Sequence, residues 1–159
     1  MRLTTRTNLA VRTLMACAVN PGRILRKQEI AAMCNASENH LAQVIQTLSQ
    51  LGYVETLRGR HGGLRLAGAA GAIGLGDLFR AFEGVLPFAE CFEGSANTCP
   101  LIESCRLREA LCDALDAFYG ALDRLTLEDL VARNDGLQRL LCLNDAAPAP
   151  RCPAAMHPA

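Results

Sequence analysis

Cys91, Cys99 and Cys105 stand seven and five residues apart. Thiolate is a soft, charge-donating ligand, so this trio could hold an iron–sulfur cluster or zinc, or act as redox thiols. The residues between the first two, Phe92-Glu93-Gly94-Ser95-Ala96-Asn97-Thr98, are mobile enough for the sulfurs to converge. Structural zinc favours paired Cys-x-x-Cys or histidine ligands, and the chain has no such pair and no histidine near this stretch. Ligand type therefore ranks a cluster first and zinc below it, with redox-active or inert thiols as the remaining reading. Cys99-Pro100 matches the proline found beside cluster cysteines. Three thiolates supply three of four corners.

The chain carries eight cysteines in 159 residues. No apolar h-region follows the first residues and no apolar run approaches membrane-spanning length, so a cytoplasmic protein with reduced thiols is expected. Cys17, Cys34, Cys112 and Cys142 fall on apolar stretches and are expected to be small buried hydrophobes. Cys152 lies in an Ala/Pro-rich tail and is incidental.

A second chemistry is electrostatic. Residues 1–66 hold nine Lys/Arg against three acids, and residues 67–159 hold seven against thirteen. The net charge of zero thus hides a basic half that suits a polyanion. Ser37, Asn39, His40 and Gln43 sit near the start of one helical pattern, where Asn and Gln can bond adenine edges and a helix N-terminus favours phosphate. Arg58 and Arg60 flank the glycine turn Arg58-Gly59-Arg60-His61-Gly62-Gly63 and would reach phosphates or a narrow minor groove. Arg2 and His61 complete the candidate DNA contacts.

The elements that would position these residues follow from periodicity. Thr5 to Val19 predicts a helix stopped by Asn20-Pro21-Gly22, and Leu25 to Cys34 a second, short one. Ser37 caps a third helix running to Leu51, with Leu41, Val44, Ile45, Leu48 and Leu51 on one face and Gly52 ending it. Residues 53–57 and 64–66 read as strands around the glycine turn. This order predicts a mainly α fold with a small β-hairpin wing, a winged helix-turn-helix. Residues 67–74 are small and read as a linker, and residues 75–83 as a further helix. Residues 84–105 form a long loop holding the three cysteines. Arg106 to Arg124 is the longest helix. Its Leu107, Leu111, Leu115, Phe118, Leu122 and Leu125 approximate a heptad seam, which predicts a dimerisation helix. Thr126-Leu127-Glu128-Asp129 resembles a capping box before a short helix. The expected division is a DNA-binding domain over 1–70, the cysteine loop and dimerisation helices over 71–143, and a disordered tail over 144–159.

The opening Met1-Arg2-Leu3-Thr4, the stretch Asn8-Leu9-Ala10-Val11-Arg12, the segment Gln46 to Val54 and the wing Arg58 to Leu66 resemble the Rrf family of winged-helix regulators. The cysteine loop, Cys105-Arg106-Leu107-Arg108 and Thr126 to Val131 resemble the nitric-oxide-sensing iron–sulfur repressors within it. The resemblance spans about residues 1–143. It implies a homodimer with crossed long helices on a palindromic operator in double-stranded DNA. It implies a cluster, 4Fe–4S in preference to 2Fe–2S, held by Cys91, Cys99 and Cys105, whose nitrosylation by nitric oxide relieves repression. In these repressors the fourth ligand is an aspartate from the partner's first helix. The matching position here is Asn8, whose neutral amide is a poorer ligand than a carboxylate. Cluster-assembly regulators of the same family carry a histidine ligand three positions after the third cysteine, and Arg108 stands there instead.

Two other readings are open to the same residues. A sensor of cluster or redox status would share every feature except the effector. A redox enzyme would need a substrate pocket or a second cofactor motif, and no Gly-x-Gly-x-x-Gly, Walker loop or paired catalytic acids occur. The expectation is a regulator and not an enzyme.

Overall fold

The computed structural model describes residues 3–60, 62–84, 87–92 and 97–143. Helix α1 (Thr5–Val19) is opened by Thr4, whose hydroxyl accepts the Thr7 N–H. It ends at Asn20, followed by Pro21 and by Gly22 at φ +77°. Helix α2 (Lys27–Cys34) is capped by Glu29, which accepts the Arg26 N–H at 2.6 Å. Asn35, at φ 47°, makes the turn into helix α3 (Glu38–Gln50). Asn tolerates this left-handed region because its short polar side chain can bond locally.

Strands β1 (Val54–Leu57) and β2 (Gly63–Leu66) pair antiparallel, with Val54 opposite Leu66 and Leu57 opposite Gly63. Leu25, expected inside a helix, instead bridges to Leu64. Its N–H donates to the Leu64 carbonyl at 2.9 Å, and its carbonyl accepts the Leu64 N–H at 2.8 Å. The wing is thereby stitched to the segment entering α2. Helical propensity alone could not reveal this pairing between residues far apart in the chain.

Residues 67–74 are more than a linker. A 3-10 turn over Ala70–Ala72 leads to Ile73, which is buried, and Gly74 bridges to Thr126. Helix α4 (Leu75–Glu83) follows, and after the cysteine segment comes helix α5 (Arg106–Leu122). Helix α6 (Leu127–Val131) opens on the expected capping box, with Asp129 accepting both the N–H and the hydroxyl of Thr126. Helix α7 (Asp135–Leu141), not foreseen from periodicity, begins after Arg133 at φ 54°. Among the described residues no helix is long and apolar enough to cross a membrane. The tail from residue 144 lies outside the described residues.

The core joins Leu9 and Leu14 of α1, Ile30 of α2, and Leu41 and Leu48 of α3 to Leu64 of the wing. Leu78, Phe82 and Leu127 extend it into the later helices. Each such side chain contributes about 1.5–3 kcal/mol relative to exposure. Helices α6 and α7 return to pack on α1. Buried Asn20 donates to the Leu141 carbonyl and accepts the Leu143 N–H, which fixes the end of α7 to the turn after α1.

Candidate functional site

Helix α3 buries Leu41, Val44, Ile45 and Leu48, so the helical period turns Asn39, Gln43 and Gln46 outward. Ser37 is the N-cap, accepting the His40 N–H at 3.3 Å, and His40 is half-buried beside it. Glu38 is held at 3.1 Å by Lys27 of α2. Its charge is therefore partly neutralised where a nucleic acid would approach.

The hairpin presents Arg58 and Arg60, both exposed. Gly59 between them lies at φ +101°, a conformation that favours glycine. The close turn also needs Gly62, where an added Cβ would stand 2.4 Å from the Leu57 carbonyl oxygen. Arg65 pairs across the strands with Glu55 at 2.8 Å, and so is committed to the hairpin. A groove of about 480 Å³ runs between α3 and the wing, lined by Arg26, Lys27, Ala42, Thr56 and Arg60 among others. Arg26 and Lys27 were not singled out from the sequence. The signal was their position just ahead of an apolar helical pattern, at the mouth of this groove. Candidate contacts Arg2 and His61 lie outside the described residues.

The cysteine segment leaves the end of α4 and returns at the start of α5. Cys105 is the N-cap of α5, where the helix dipole favours a negatively charged group. Arg108, one turn along, donates from Nε to the Cys91 carbonyl at 3.2 Å and lies over the Phe92 ring. Cys91 and Cys105 are thus held at the same end of α5. The Cys99 N–H donates to Asn97 Oδ1 at 2.9 Å. All three are free thiols and half-buried.

The structure does not draw the three sulfurs together. Among the described residues no three His, Cys, Asp or Glu side chains form a metal-holding group. Residues 93–96, between the first two cysteines, lie outside the described residues. Thiols have no mutual attraction and thiolates repel, so a bound cation would favour gathering them. The donor set nevertheless suits an iron–sulfur group: unbridged, accessible sulfur ligands beside a helix N-terminus. Asn8 is exposed on α1, with its backbone N–H bonded to the Thr4 carbonyl.

The other cysteines divide differently from expectation. Cys17 and Cys34 are buried, as their apolar positions predict. Burial, and then the neighbouring Cys34, push the Cys17 thiol up to about 12. Cys112 is only half-buried, and Cys142 is exposed because it caps α7 while its neighbour Leu141 takes the inward position.

Glu83, the last residue of α4, was also missed. Its carboxylate accepts the Thr4 N–H at 2.9 Å, the Thr4 hydroxyl at 3.0 Å, and the buried Thr7 hydroxyl. Burial raises its affinity for a proton, but the hydrogen bonds from Thr7 and Thr4 outweigh that and hold its carboxyl below the usual range. No local spacing signals this contact, which joins elements distant in the chain.

A family model described as Rrf2, an iron-dependent transcriptional regulator, matches residues 3–133. The transcriptional repressor NsrR of Streptomyces coelicolor is 46% identical over 138 residues, covering 86% of this chain and 92% of that protein. Protein aau3 of Rhizobium meliloti is 44% identical over 145 residues, covering 91% and 94%. Among solved structures, the global cysteine regulator CymR of B. subtilis superposes with a TM-score of 0.66 at 28% identity, covering 83% of this chain and 97% of that one. IscR of T. potens gives 0.66 at 25% identity, covering 82% and 86%. The family model over residues 3–133 and these relatives, which cover 86–91% of the chain, place it in the Rrf2 family: it is a DNA-binding transcriptional repressor and not an enzyme.

Proposed function

We propose that this repressor carries an iron–sulfur cluster, 4Fe–4S in preference to 2Fe–2S, and releases a palindromic operator when nitric oxide reaches it. The observation that carries the reading is the loop of three free, half-buried thiols spanning from α4 to the N-terminus of α5. Its similarity to proteins named NsrR supports nitric oxide as the effector. Cys91, Cys99 and Cys105 would hold the group, with position 8 of a partner subunit as the candidate fourth ligand. When bound, the group supplies iron that a small diatomic can attack.

The remaining steps belong to the chain itself. Arg58 and Arg60 neutralise phosphates, and Ser37, Asn39, His40 and Gln43 meet base edges or the backbone from α3, with Arg2 and His61 as further contacts. In this reading residues 1–70 form the DNA-reading head, and two heads joined through α5 fix the half-site spacing.

A sensor of cluster status is less well supported. The position that would supply its histidine is Arg108, which is engaged with the Cys91 carbonyl and the Phe92 ring.

The test is anaerobic purification, followed by visible absorption and circular dichroism and a DNA-binding titration before and after graded nitric oxide. A cluster spectrum lost in step with DNA affinity is expected. Colourless protein after anaerobic reconstitution, or DNA affinity indifferent to nitric oxide, sinks the proposal.

A further inference from the structure

We propose that Glu83 is a positioning residue that couples the cysteine loop to the DNA-reading head, an inference that rests on the cluster reading above. Helix α4 is fastened at two places. One turn before its end, Arg80 forms a two-pronged pair with Asp123 at 2.6 Å on each prong, and it stacks over Tyr119 of α5 at 4.8 Å. At its last residue, Glu83 grips Thr4 and Thr7 at the start of α1. The cysteine loop begins at the next residue, Gly84, and ends on α5 at Cys105. The turn out of α4 is tight, since a Cβ on Gly84 would stand 2.6 Å from the Arg80 carbonyl oxygen.

The first turn of α1 carries no acid of its own. Glu83 therefore supplies the anionic cap that a helix N-terminus favours, and supplies it from the element that leads into the loop. Hydrogen bonds from one backbone N–H and two hydroxyls are directional, so they fix how α1 is seated against the end of α4. An apolar contact would allow sliding. Helix α1 in turn packs on α3, whose outer face is the proposed DNA contact. A cluster that held the three cysteines would thus bear on α1 through one carboxylate. Asn8, the candidate partner ligand, is the residue after Thr7, so both proposed links to the cluster enter α1 at the same turn.

The test uses the full chain, reconstituted anaerobically, with Glu83→Gln and Glu83→Ala variants. The DNA probe is a duplex selected from a random library by the loaded wild-type protein. Both variants are expected to keep the wild-type visible spectrum. The wild-type ratio of DNA affinities, loaded over cluster-free, is expected to fall by about tenfold in Glu83→Ala, a size usual for coupling between sites. Glu83→Gln, which keeps an accepting oxygen, should fall between the two.

Hydrogen exchange gives a readout independent of DNA. The Thr7 and Asn8 amides should differ in protection between loaded and cluster-free wild type, and should be equal in both states of Glu83→Ala. A ratio preserved in both variants, with melting temperature lowered equally in both states, reduces Glu83 to a structural cap and overturns the inference alone. A changed visible spectrum in Glu83→Gln makes it a ligand and likewise overturns the positioning role. A wild-type protein whose DNA affinity ignores the cluster overturns the functional reading, and this inference with it.

Discussion

Free cysteines in one chain can differ widely in reactivity, and here burial separates them. Cys17 sits in the core with its thiol pushed up to about 12, and Cys34 is raised as well, by burial above all. Neither forms much thiolate at pH 8. Cys91, Cys99 and Cys105 are half-buried on the loop. Iodoacetamide at pH 8 should label these three in cluster-free protein while sparing Cys17 and Cys34, as peptide mass spectrometry would show. Cluster loading should then protect the three. Labelling of Cys91, Cys99 and Cys105 that is indifferent to loading would remove them from the coordination sphere. The separation was legible in part. Apolar helical spacing marked Cys17 and Cys34 as core, but the same reasoning placed Cys142 inside, where the structure turns it out as a helix cap. Asn8 carries a second prediction at this scale. Asn8→Asp adds an exposed carboxylate on α1, so it should leave the fold intact while lengthening cluster lifetime under oxygen. Equal decay of absorbance in both forms would call for a different fourth ligand.

At the scale of elements, the proposed DNA contacts of the wing and α3 would act through charge and shape together. Arg58 and Arg60 are exposed, and among the described residues neither is tied to an acid as Arg65 is to Glu55. Removing either should cost affinity across all DNA sequences. It should also lower the slope of log affinity against log salt by about one per lost phosphate contact. Gln43→Ala should behave differently, weakening one base position by about 1–3 kcal/mol with little change in salt slope. Filter-binding titrations across salt separate the two, and a slope unchanged in both arginine variants would take the wing off the phosphates. The three helices and the hairpin were legible because each is specified locally, by apolar period, by Ser37 as cap and by glycines in the turn. The bridge between Leu25 and Leu64, the seating of Ile73 and the return of α7 onto Asn20 were not. These are pairings made by tertiary packing, and a local pattern carries no trace of its distant partner.

The whole molecule leaves its longest helix half-solvated. Helix α5 has seventeen residues, none of them buried within the chain, and Leu107 is 67% exposed. At 1.5 Å per residue it offers a ridge of about 25 Å, enough for a helix-to-helix dimer seam. The heptad reading put Leu115 and Phe118 in that seam. Within one chain, however, Phe118 already meets Phe79 of α4 edge-on at 6.2 Å. Leu115 lines a cleft of about 440 Å³ with Phe88 and Phe92. The more open face carries Ala110, Ala114, Ala117 and Ala121, all exposed and one or two turns apart, beside Leu107. Small side chains there would let a partner helix approach closely. Ala114→Glu is therefore the sharper test of a dimer. Glutamate is a good helix former, and the position is exposed, so the single chain should fold and melt nearly as before. In a dimer the charge would be buried without a partner, at a cost on the order of several kcal/mol. Sedimentation equilibrium should then give a monomer, with half-site binding in place of cooperative operator binding. Leu115→Glu should also lower the melting temperature, because it disturbs the chain's own cleft. A fully dimeric Ala114→Glu protein would place the interface on another face of α5.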